Sequence, residues 1–155
     1  MITAIDPGTF FSALVQWDGE AIGKKFLLEN DNILDLLPGL DGLLVVEEIR
    51  SYGNVMGQTT IDTVWWSGRF CQAWLERGKP FYLMPRLEVK KHICHNGGAK
   101  DSNIIQALVD RFAYGEPNRG KGTKKAPGFF YGFRKDLWQA FALAVTAHDK
   151  LGEHP

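Results

Sequence analysis

Three carboxylates stand where the chain passes from one kind of pattern to another: Asp6 in ITAIDPG, Glu47 in LLVVEEI and Asp136 in RKDLWQA. Acids drawn from separate parts of a chain suit one demanding chemistry, hydrolysis of a phosphodiester with two divalent cations about 4 Å apart, because only concentrated negative charge holds two such ions together. That chemistry requires convergence, for which a sequence supplies only candidates. Each acid also has a plain structural reading. Asp6 in Asp-Pro-Gly is a turn former. Glu47 and Glu48 at a strand end are ordinary solvated acids, and Asp136 near a helix start is a capping or dipole-matching acid.

The elements that would have to position these residues are legible from periodicity. ITAID alternates and ends in a turn, FFSALVQW reads as a second strand and Asp18-Gly19 as a second turn, so a hairpin opens the chain. Lys25 to Glu29 reads as a third strand, and DNILDLLPGL as a short helix or turn. GLLVVEEI is a continuous apolar run that suits a strand covered on both faces. Apolar residues then recur at helical spacing from about Thr60 to Arg77, PFYLM reads as a fifth strand, and two more helices follow at 100–113 and 134–151. Between these last two lies YGEPNRGKGTKKAPGFFYG, a flexible basic loop over about 114–132, of a length that in a compact domain is more often functional than filler. The order predicts an α/β fold with a mixed five-stranded sheet, its first three strands antiparallel, flanked by helices. If the first and fourth strands are neighbours and the last helix lies over their ends, the three acids meet.

Composition bounds the rest. With 155 residues, 45% apolar and 23% charged, the chain reads as one domain over 1–155 with a real core. Net charge is zero, but residues 1–78 hold 5 Lys+Arg against 11 Asp+Glu and residues 79–155 hold 13 against 7. This division fits a basic face beside an acidic pocket, and equally an ordinary solvated surface. No apolar run approaches the roughly 18 to 20 residues of a membrane span, so the expectation is a cytoplasmic protein, neither secreted nor membrane-inserted. Cys71 and Cys94 fit a reducing compartment without pairing. His92, Cys94 and His95 crowd one short segment with no second ligand pair elsewhere, which does not make a closed zinc site. Trp65 and Trp66 are adjacent and cannot both face inward, so one is available to a dimer interface.

Taken together, these motifs resemble those of the RuvC-type Holliday junction resolvases of the ribonuclease H-like superfamily, in particular the compact forms of bacteriophages and prophages. IDPGT is similar to the family's first strand, VVEEIRSYG to its second acidic motif, PRLEVKKHICHNGGAKDSNIIQAL to the stretch leading into a helix, and KDLWQAFALAV to the terminal motif, in that order along nearly the whole chain. The resemblance implies a ribonuclease H-like fold, a homodimer with two active sites, two Mg²⁺ or Mn²⁺ ions per site, no nucleotide cofactor, and incision of branched DNA that leaves 5′ phosphate and 3′ hydroxyl ends. It casts Asp6, Glu47 and Asp136 as metal ligands, with Glu48 on the other side of its strand.

Lys90, Lys91 and Lys100 flank Gly97-Gly98, where lysines and main-chain donors could hold a phosphate. Arg119, Lys121, Lys124 and Lys125 in the loop are candidates for backbone contacts or for a solvated segment. Arg50 and Tyr52 lie beside Glu47, and Tyr52 could stack on an unpaired base or simply pack. One position departs from the family: its last helix often carries a second acid three residues after the first, and Gln139 stands there, able to coordinate through its carbonyl but bringing no charge. Asp101 is a conceivable substitute, although its place at a helix start favours N-terminal capping. DPGTFFSALV also resembles the first phosphate motif of sugar kinases and actin-like ATPases, which need two such domains. A YqgF-type nuclease is a nearer rival, against which the VKK and AKDS stretches weigh. Gln139 prompts an alternative of another class, a branched-DNA binding protein that keeps the fold and has weakened catalysis.

Overall fold

Side-chain alternation along two strands decides which face of the sheet carries chemistry. A computed structural model describes residues 1–152. In chain order it contains β1 (Ile2–Asp6), β2 (Phe11–Trp17), β3 (Ile22–Glu29), α1 (Asn30–Leu36) running into a 3-10 turn (Leu37–Gly39), β4 (Leu43–Glu48), α2 (Gln58–Leu75), β5 (Phe81–Pro85), α3 (Arg86–Cys94), α4 (Asp101–Phe112) and α5 (Leu137–Leu151). The sheet order is β3-β2-β1-β4-β5. The first three strands pair antiparallel, as expected, while β1 with β4 and β4 with β5 pair parallel. Each parallel step is bridged by helix-bearing chain, as a crossover requires.

The two faces bury separate cores. One gathers Ile2, Ala4, Val15 and Val45 under α5 and α4, and the other gathers Ile5, Leu14, Leu44 and Val46 under α1 and α2. With a period of two, Asp6 belongs to the face of Ile2 and Ala4, and Glu47 to the face of Val45, whereas Glu48 follows Leu44 and Val46 to the opposite face. Helix α5 lies against the centre of the sheet. Its residues Leu137 to Ala147 are all buried, which an amphipathic helix could not manage and an apolar, alanine-rich one can. Ala140, Ala142 and Ala144 let the helix approach the strands, while Phe141 meets Trp17 edge to face at 5.2 Å between ring centroids.

Two features differ from the sequence reading. Helix α3 was not foreseen, because RLEVKKHIC buries only Val89 and follows its strand without a linker, Pro85 being both the last residue of β5 and the N-cap of the helix. The expected flexible loop at 114–132 is fastened at several points. Phe130 N donates to Gly120 O at 2.8 Å, Gly128 N to Lys121 O at 3.0 Å, and Gly122 bridges to Pro127. A side chain at Gly128 would collide with Gly120 O, at 2.2 Å from an ideal Cβ, so the closure needs glycine there. Phe129 stacks on Phe112 at 5.3 Å, and Phe130 packs on Trp138 at 4.7 Å. Among the described residues no helix is long and apolar enough to cross a membrane.

The fully buried Phe130 ring is thus the peg of this loop. Phe130→Ala should cost about 3–5 kcal/mol of stability and, by loosening the backbone around the exposed Lys124 and Lys125, speed their cleavage by trypsin. Urea unfolding and limited proteolysis read both effects; wild-type values in both would mean the ring does not hold the loop.

Candidate active site

Strand register brings the first two acids together. Ile5 pairs with Val46 across the parallel β1–β4 ladder, so the next residues, Asp6 and Glu47, stand side by side on the face covered by α5. Burial pushes the Asp6 carboxyl well above the ordinary carboxylate range, Glu47 raises it further by its charge and by sharing a hydrogen bond, and the charge of Asp136 adds to the effect. Asp136 is the N-cap residue of α5, but it makes no capping hydrogen bond through its side chain. Its carboxylate is free of the helix and close enough to act on Asp6. Gln139 lies three residues on, on the same side of the first turn, and is only 7% exposed.

The turn after Asp6 is held from beneath by buried polar groups. Asn30 donates through its side-chain amide to Gly8 O at 2.9 Å and Thr9 O at 3.2 Å, and its Oδ1 accepts from the Ser12 hydroxyl at 2.6 Å. Ser12 Oγ in turn accepts from Gly8 N at 3.1 Å. Gly8 has no space for a Cβ, which would sit 2.2 Å from Phe11 O. Thr9 ties the same turn to α2 by donating to Thr59 O at 3.0 Å. The turn-forming reading of Asp-Pro-Gly and the reading of Asp6 as a site residue are therefore compatible: the turn fixes where the carboxylate stands.

A cavity of about 500 Å³ opens beside Glu47, lined by Glu48, Ile49, Arg50, Tyr52, Arg86, Leu87, Lys90 and Gly97 as well. Of the DNA-binding candidates, Arg50, Tyr52 and Lys90 share this wall; Tyr52 is 67% exposed and Arg50 holds Glu48 at 2.7 Å. Lys91 and Lys100 are exposed and outside the cavity, as are Arg119, Lys124 and Lys125, while Lys121 is half-buried at the base of the loop.

Arg86 was missed by sequence reasoning. It opens α3, approaches Glu47 at 3.7 Å and hydrogen-bonds Asp101. Its proximity is the one influence that favours ionised Asp6. Asp101 accordingly spends its carboxylate on Arg86 and does not cap α4, where the Asn103 side chain accepts from Lys100 N at 2.9 Å. A cation after a strand that ends among acids is the signal that could have pointed to Arg86. Of the zinc candidates set aside from sequence, His92 bonds Asp149 at 2.8 Å. Trp74 is core, Trp66 packs on Phe70, and Trp65 is 77% exposed.

Hard carboxylate oxygens suit Mg²⁺ or Mn²⁺, and the raised proton affinity of Asp6 marks negative charge in need of a cation. Among the described residues no three acids, histidines or cysteines are arranged to close on one ion. Asp6 and Glu47 make the contact, and Asp136 stands further off. The donor set fits a divalent ion at the Asp6–Glu47 pair, with Asp136 able to complete it.

No family model matches the chain, and no curated protein matches it. Among solved structures, that of RuvC from Thermus thermophilus is similar with a TM-score of 0.65 and 19% identity, over 98% of this chain and 96% of that one. The T. thermophilus RuvC in complex with a Holliday junction substrate is similar with a TM-score of 0.68 and 20% identity, over the same shares. The chain shares the fold of these two RuvC structures.

Two outcomes follow from the site's geometry. Because Asp6 binds a proton more readily folded than unfolded, the metal-free protein loses stability as pH rises from the ordinary carboxylate range through the raised pKa of Asp6. Asp6→Asn removes that loss, so at pH 7 in EDTA the variant should melt at a higher temperature than wild type, and Mn²⁺ should raise the wild-type midpoint more than the variant's. Asn30→Ala leaves Gly8 O, Thr9 O and Ser12 without their partner and should cost about 1–3 kcal/mol in chemical denaturation.

Proposed function

We propose that the protein is a divalent-metal-dependent endodeoxyribonuclease that cleaves Holliday junctions or other branched DNA. The observation that carries this reading is the meeting of Asp6 and Glu47 on adjacent parallel strands beneath the start of α5, where Asp136 stands. The RuvC-type fold supports it, since one of the similar structures is a complex with a Holliday junction. Two Mg²⁺ or Mn²⁺ ions would supply an activated water for in-line attack on phosphorus and stabilisation of the departing 3′ oxygen.

The chain's own residues do the rest. Asp6 and Glu47 would hold the ions, with Asp136 adding its carboxylate. Gln139 offers an amide oxygen without charge, which lowers the electrostatic hold on the ions. Arg50, Lys90 and Tyr52 would receive the DNA along the cavity wall, the cations on phosphates and the exposed ring on an unpaired base. Lys91, Lys100 and the loop residues Arg119, Lys121, Lys124 and Lys125 would meet backbone farther from the cut. Two incisions at one junction require two copies, and the exposed Ile61, Val64 and Trp65 of α2 offer an apolar surface for a homodimer.

Gln139 favours one second reading, a branched-DNA binding protein with weakened catalysis. A four-way junction, a flap and linear duplex incubated with the protein in Mg²⁺ and in Mn²⁺ separate the two. Cleavage of the branched substrates is expected, and Asp6→Asn or Glu47→Gln should lower its rate on the order of 10²–10³-fold, as loss of one transition-state-stabilising group does. Junction binding without cutting would leave the binding-protein reading, and equal cutting of all substrates would remove the preference for branches.

A further inference from the structure

Arg86 is, among the described residues, the one cation paired with either Asp6 or Glu47. Its guanidinium is divided between two carboxylates. One amino group is hydrogen-bonded to Asp101 at the first turn of α4, and the other faces Glu47 at the looser distance of 3.7 Å. The side chain is about a third exposed and lines the cavity that also holds Arg50, Tyr52 and Lys90. Asp101 lies outside the Asp6–Glu47 pair, so its hold on Arg86 does not compete with cations bound there. The contact with Glu47 does.

We propose that Arg86, tethered by Asp101, is the residue that grips the phosphate to be cut, and that its contact with Glu47 is a placeholder for the metal-free protein. The inference rests on the nuclease reading above. When Glu47 turns to a divalent ion, the amino group facing it loses its partner while the other stays on Asp101. The freed side of the guanidinium then faces the cavity, with planar paired donors that match two phosphate oxygens better than an ammonium can. A fixed cation there holds DNA and offsets charge that grows on the phosphoryl oxygens during attack. Asp101 is then a positioning residue, acting through Arg86.

The test compares wild type with Arg86→Gln, Arg86→Lys and Asp101→Asn in three measurements: Mn²⁺ affinity without DNA by calorimetry, single-turnover junction cleavage at saturating Mn²⁺, and junction binding in Ca²⁺. Arg86→Gln should bind Mn²⁺ at least as tightly as wild type, because a competing charge is gone, yet cleave at least about tenfold more slowly. Arg86→Lys should recover part of the rate, and Asp101→Asn should lose a smaller part. Cleavage by Arg86→Gln within about twofold of wild type would overturn the proposal. So would loss of Mn²⁺ binding in step with cleavage, since that marks a residue that merely shapes the metal site. If wild-type protein cuts no substrate, the nuclease reading fails, and Arg86 is judged by Ca²⁺-supported binding alone. A loss of about fivefold or more in Arg86→Gln then upholds its phosphate contact, and unchanged binding overturns it.

Discussion

The structure depends on like charges forced together where two parallel strands end. Asp6 and Glu47 share a face because β1 and β4 are neighbours in register, and that face is covered by α5. Burial away from water is the largest cause of the upward shift at Asp6, and the charge of Glu47 beside it adds to that shift. A fold gains nothing in stability from such an arrangement. Stability must come from elsewhere, and the packing of Phe141 of α5 against Trp17, Phe130 and Phe133 is one source.

Holding the repelling pair in place requires a stiff frame on both sides. On the β1 side, Asn30 and Ser12 satisfy the carbonyls and amide of the turn after Asp6, and Thr9 fastens it to α2. On the β4 side the next strand supplies the frame, since Glu47 pairs with Met84 and the chain enters α3 two residues later. The lack of a linker there fixes Arg86 close to Glu47. A longer connection would have let a flexible cation wander into solvent, where a surface ion pair contributes little.

Much of this frame was legible in the sequence. The apolar run before Glu47 marks a strand buried on both faces, ITAID marks its neighbour, and parity then separates Glu47 from Glu48 without any coordinates. Apolar residues at helical spacing over 134–151 mark the last helix and put Asp136 near its start, while its burial on every side came only with the structure. What escaped had physical reasons. The only buried residue of α3 is Val89, so no periodic signal announces it. The stretch 114–132 is so rich in Gly, Pro and Lys that its composition hid two aromatic pegs, Phe129 and Phe130, which only a partner surface could reveal. Arg86 was invisible for a different reason: its meaning lies in Glu47 and Asp101, respectively 39 residues before and 15 residues after it in the sequence.

The local charge balance also gives Gln139 a sense that its comparison with an acid does not. With an acid there, four carboxylates would crowd the end of the sheet, and Asp101 would stand close by. Arg86 alone would oppose them, raising both the repulsion within the metal-free protein and its attraction for divalent ions. Gln139 keeps an oxygen donor in the first turn of α5 while removing one of those charges. On the proposed reading the arrangement would exchange affinity for ions against stability without them, and a bound cation would relieve the charge of Asp6, the carboxyl that burial and Glu47 together hold above the ordinary range.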